Sequence, residues 1–96
     1  MYGTVAKMRV KPGKLEELKQ MMAGPEMTNI AGLVNTTVYQ LDADANSLIM
    51  AVTFTDKDAY TKNANSPEMS ARYEKYVALL EGPPEWNDGE VVYSGK

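Results

Sequence analysis

The first ten residues alternate. Tyr2, Thr4, Ala6, Met8 and Val10 fall on one face, and Lys7 and Arg9 on the other. A period of two predicts a strand, and Pro12-Gly13 breaks it. Leu15, Leu18, Met21 and Met22 then recur at helical spacing with Glu16, Glu17 and Lys19 between them. This predicts a short amphipathic helix that Gly24-Pro25 ends. Residues 33–41, with β-branched Val34, Thr36, Thr37 and Val38, and the apolar run 48–54 predict two strands of a hairpin joined by the polar segment 42–47. Asp56 is placed to cap a helix beginning near Lys57. Ser66-Pro67 restarts that helix, serine as N-cap and proline at the first helical position. Met69, Tyr73, Tyr76, Val77 and Leu80 form one apolar stripe, so Tyr73 and Tyr76 face the sheet. Gly82-Pro83-Pro84 stops the helix. Asp88-Gly89 reads as a turn and residues 90–94 as the last strand.

The order β-α-β-β-α-β, with the second helix in two pieces, predicts an α+β fold of the ferredoxin-like kind over one domain, residues 1–96. Helices cover one face of such a sheet. Val5, Ile49 and Ala51 make the other face partly apolar, and Lys7 and Arg9 share it. An apolar face needs cover, and the sheet also has two edges to hide. A chain of 96 residues is too short for two domains and builds a core of modest stability. Together these predict a homodimer.

Charge and composition remove several functions. The net charge is −3 and there is no basic run, so a nucleic-acid partner is not expected. An RNA-recognition domain has the same element order, but its third strand needs aromatic and basic residues. Residues 48–54 hold one aromatic, Phe54, and no basic residue. The chain has neither cysteine nor histidine. A disulfide framework, a thiol nucleophile and the commonest proton shuttle and metal ligand are therefore missing, and no metal or haem is expected. The N-terminus has no apolar signal region and no apolar run reaches membrane-spanning length, so the expectation is a cytoplasmic protein with no membrane partner. Asp42, Asp44 and Asn46 match the first half of a calcium loop. Its sixth position is Ser47 rather than glycine and its twelfth is Thr53 rather than glutamate. The segment therefore reads as a turn whose Asx side chains satisfy the backbone.

A few residues have two readings. Asn63 and Asn65 flank a helix break, where asparagine commonly caps; alternatively, an Asn63 amide binds a carbonyl or phenolate. Trp86 follows the Pro-Pro break and either closes the core or lines the mouth of a pocket. Inward-facing methionines such as Met8, Met50 and Met69 fill gaps or pack around a flat ligand.

The run Phe54-Thr55-Asp56-Lys57-Asp58-Ala59-Tyr60, followed by Asn63-Ala64-Asn65-Ser66-Pro67-Glu68-Met69, resembles the antibiotic-biosynthesis-monooxygenase family. The early strand, Pro12-Gly13, the amphipathic helix and Gly32 entering strand two resemble it as well. The resemblance implies dimers whose two sheets pack into an α/β barrel, with a ligand cleft in each subunit between sheet and helices. It also implies either oxidation of phenolic polycycles or quinols by oxygen without a cofactor, or binding and degradation of haem. The haem-degrading pattern is altered here: its strand-one asparagine falls at Ala6, its iron-ligating histidine near Tyr73 and its cleft tryptophan near Asn63. Where family members often carry histidines beside the Ser-Pro, this chain has Asn63 and Glu68.

The expected function is a cofactor-independent monooxygenase, an oxidoreductase, acting on a small aromatic, phenolic or quinol substrate. The alternatives are a non-catalytic dimeric binding module, or a small isomerase or lactone-processing enzyme. In the expected cleft Thr4, Ala6 and Met8 form the floor and Trp86 the lip. Asn63 and Tyr73 form the helix wall and carry the chemistry. The base is then a tyrosinate, a carboxylate or the substrate's own ionisation, with Glu68 a candidate if it turns inward.

Overall fold

The computed structural model describes residues 1–95, and all of their side chains except that of Glu26. Strands β1 (Tyr2–Arg9), β2 (Leu33–Gln40), β3 (Ser47–Phe54) and β4 (Glu85–Glu90) form one antiparallel sheet in the order β2-β3-β1-β4. Helices α1 (Leu15–Ala23), α3 (Lys57–Ala64) and α4 (Pro67–Val77) follow the predicted sequence order. A four-residue helix α2 (Pro25–Thr28) adds to it, with Pro25 starting a new turn after Gly24 has capped α1. The predicted caps form. Asp56 accepts from the Ala59 amide at 2.8 Å, and the Ser66 hydroxyl accepts from the Met69 amide at 3.1 Å. Each satisfies a helix N-terminal donor that would otherwise be left unpaired.

The register fixes what faces the helices. Ala6 stands opposite Met50 on one side and Trp86 on the other, while Thr4 stands opposite Val52 and Asp88. The core gathers on this face from Ala6, Met8 and Val10, Leu48 and Met50, Leu18 of α1, and Tyr76, Leu79 and Leu80. Gly32 enters β2 at φ +83°, and a Cβ there would stand 2.5 Å from the Ala59 Cβ, so both backbone and space demand glycine.

The last strand differs from expectation. It spans Glu85–Glu90, not residues 90–94, and Asp88-Gly89 lies inside it rather than in a turn. The reason is the length of β1. Tyr2 already pairs with Glu90, and the Val91 amide donates to the Met1 carbonyl at 2.8 Å. Nothing further along β1 is left to pair. Val92 and Tyr93 have strand-forming side chains but stay 94% and 85% exposed. Pairing context overrides intrinsic strand preference here.

The opposite sheet face carries the two cations expected there. Arg9 makes ion pairs with Asp44 and with Glu81, the latter at 3.0 Å, and donates to the Ser47 hydroxyl. The hydrogen bond from Arg9 holds the Asp44 carboxyl below its ordinary range, and bonds from the Asn46 amide and Ser47 hydroxyl add to this. Asp44 thus organises a hairpin turn.

Candidate active-site cleft

An open cleft of about 410 Å³ lies between the helix-facing side of the sheet and the helices. Its sheet side is made by Leu33 and Thr36 of β2, Met50, Val52 and Phe54 of β3, Thr4 of β1 and Trp86 of β4. Thr4 lies at its base, flanked across the strands by Val52 and Asp88. Above it stand Tyr60 and Asn63 from α3 and Met69 and Tyr73 from α4, and the α1–α2 end adds Met22 and Met27. Most of the lining is apolar, as in ordinary small-molecule sites.

Four of the six residues expected from the sequence meet here: Thr4, Asn63, Tyr73 and Trp86. The Tyr73 and Trp86 rings lie with centroids 6.3 Å apart, tilted by 40°. Trp86 is 40% exposed, so it stands at the mouth and does not close the core. Ala6 and Met8 are not in the lining and must be withdrawn from the floor. Ala6 is fully buried, and Met8 is buried with its sulfur 2.7 Å from the Tyr76 hydroxyl. Tyr76, one turn beyond Tyr73, reaches deeper than expected and covers this stretch of β1. Glu68 is exposed and does not line the cleft, so it does not supply the base.

Few polar groups point into the cleft. The Asn63 amide nitrogen contacts only the Met69 sulfur, at 3.7 Å, a weak acceptor, so most of its hydrogen-bonding capacity is uncommitted. The Tyr60 hydroxyl donates to Asp88 Oδ1 at 2.8 Å. Thr4 Oγ1 is buried without a hydrogen-bond partner. Sequence reading missed both Tyr60 and Asp88. Tyr60 was visible only as part of the family-like run. Asp88 was hidden by its apparent turn, although its spacing of two from Trp86 would have placed both on one strand face.

Two tyrosines resist ionisation. Burial, followed by the hydrogen bond to Asp88 and the nearby negative charge, pushes Tyr60 up to about 12; the nearby Thr4 hydroxyl opposes this in part, though it forms no hydrogen bond of normal geometry. Burial pushes Tyr76 up further. A raised folded-state value means stability is complete below the unfolded value of about 10 and is lost as pH rises through the folded value. Urea unfolding midpoints measured from pH 8 upward should therefore hold to about pH 10 and then fall. The fall should be shallower in Tyr60→Phe and in Tyr76→Phe. Unchanged slopes would remove these residues as the cause.

The sequence profile described as antibiotic biosynthesis monooxygenase matches residues 1–75, which is most of the chain. The chain belongs to the antibiotic biosynthesis monooxygenase family. Solved structures agree on the fold. SnoaB, a cofactor-independent oxygenase from Streptomyces nogalater solved as an asparagine-to-alanine mutant, superposes with a TM-score of 0.81 at 18% identity, covering 97% of this chain and 94% of its own. A family protein from Chloroflexus aurantiacus gives 0.80 at 17% identity over 99% and 96%. A conserved protein from Methanosarcina mazei gives 0.78 at 22% identity over 92% and 89%. No curated protein sequence matches significantly. Among the described residues of this family member, no helix is long and apolar enough to cross a membrane.

Proposed function

We propose that the cleft binds a small phenolic or quinol aromatic and that the protein acts on it as a cofactor-independent monooxygenase. One observation carries this reading: Asn63, Tyr73 and Trp86 converge on a single cavity that is otherwise mainly apolar. Oxygen reacts slowly with closed-shell organics, but an electron-rich phenolate can pass an electron to it. A site helps by stabilising the anion and excluding water. Asn63 and Tyr73 are hydrogen-bond donors suited to a phenolate oxygen, and Trp86 offers a flat surface for the ring. No outside reductant is needed. A phenol and O2 give a quinone and water: one oxygen atom enters the ring, and the other leaves with the hydroxyl proton and a ring hydrogen.

Oxygen consumption with a panel of simple hydroquinones and naphthols tests the activity. The expected result is saturable uptake above the rate in buffer, lowered by about a hundredfold in Asn63→Ala, the usual cost of an oxyanion donor. No protein-dependent uptake with any member of the panel contradicts the activity.

We also infer a homodimer through the open sheet face. Val5, Ala51 and Thr37 form one cross-strand row and Lys7, Ile49 and Tyr39 the next. Val5 and Tyr39 stay 48% and 61% exposed, and Arg9 is already paired within the chain. The partly apolar surface is therefore available to a second copy.

A further inference from the structure

We propose that Asp88 accepts the hydroxyl hydrogen of the substrate, positioned by Tyr60, and that the cleft consequently selects neutral hydroxyaromatics over aromatic carboxylates. This rests on the reading of the cleft as an aromatic site and names the substrate's functional group within it.

Among the described residues that line the cleft, Asp88 is the one charged side chain. It sits on the helix-facing side of β4, two residues after Trp86 and opposite Thr4. A ring lying against Trp86 therefore has a carboxylate within its own length. Tyr60 engages only Oδ1 of that carboxylate, which leaves Oδ2 for a ligand donor. Tyr60 itself is held in place, with its ring edge-on to Tyr2 and Phe54 at centroid distances of 5.3 and 5.5 Å. The third group at this corner is Thr4, whose buried hydroxyl lacks a partner.

The chemistry assigns two consequences. In the ground state a phenol is a far weaker acid than a carboxylic acid, so the substrate keeps its proton and donates a hydrogen bond to Asp88. As electron density passes from the ring to O2 the hydroxyl becomes strongly acidic, and the phenolate oxygen that develops accepts hydrogen bonds from Asn63 and Tyr73. The O–H bond then breaks, the electron pair stays on the phenolic oxygen, and the proton passes to Asp88 Oδ2 before leaving in the water formed. An aromatic carboxylate has no hydrogen to give and brings a second negative charge to the same corner.

Calorimetric titration with 2-naphthol, 2-methoxynaphthalene and 2-naphthoate separates these cases. Wild-type protein should bind 2-naphthol about tenfold more tightly than either of the others, the scale of one charge-assisted hydrogen bond at a partly exposed site. Asp88→Asn is isosteric, still accepts from Tyr60, and should lose the preference over 2-naphthoate. Tyr60→Phe keeps the aromatic packing and should weaken the preference without removing it; an unchanged preference there overturns the positioning role. If 2-naphthol binds the wild type but Asp88→Asn discriminates equally well, the assignment of Asp88 is wrong while the cleft reading stands. If none of the three binds, both fail.

Discussion

Ser70→Phe should weaken binding of an aromatic ligand by about a hundredfold, roughly 3 kcal/mol, while Ala6→Leu should damage the fold. Ser70 lies on α4 three residues before Tyr73 and lines the cleft, yet it is exposed. Residues three apart share a helix face, so a phenyl group there enters the space above Trp86 without displacing the core. Ala6 has the opposite setting. It is fully buried within the cluster that contains Met8, Met50 and Tyr76. Extra methylenes at such a position cost ~1–3 kcal/mol, a serious loss for a small domain holding ~5–15 kcal/mol in total. Urea denaturation and ligand titration on both variants check the pair. Ligand binding lost in Ala6→Leu with wild-type stability would return Ala6 to the cleft floor.

Val5→Asp should abolish the dimer inferred above. Val5 is half-exposed at the centre of the open face, so a carboxylate is tolerated in the single subunit. In a dimer that buries the open face it would be desolvated, and unpaired buried charge costs several kcal/mol. Light scattering should give twice the 10.6 kDa chain mass for the wild type at micromolar concentration and the single mass for the variant. A monomeric wild type would contradict the dimer inference.

What could be read from the sequence followed the strength of local signals. Both caps, Asp56 and Ser66, were legible because an Asx or serine side chain ahead of a helical pattern has one favourable use. The alternation of β1 was legible because its helix side is buried almost throughout, from Thr4 to Val10. β4 was not. Its residues, Glu85-Trp86-Asn87-Asp88-Gly89-Glu90, have little strand character, and only pairing with β1 makes them a strand. That error hid Asp88, since a residue assigned to a turn has no predicted face. The misplaced cleft floor has a different origin. Alternation puts Thr4, Ala6 and Met8 on one face, but it cannot say where along β1 the covering helix begins. Tyr76 packs over the far part, and the cleft keeps only Thr4.

Trp86 makes the central claim directly measurable, because it is the sole tryptophan of the chain and stands at the cleft mouth. Its fluorescence can be titrated with 1,4-dihydroxynaphthalene under nitrogen, in the wild type and in Ser70→Phe. The cleft reading predicts saturable quenching with one ligand per chain in the wild type and little in the variant. Quenching that rises linearly with ligand and is the same in both proteins would show only random collision with an exposed indole, and would contradict an aromatic-binding cleft.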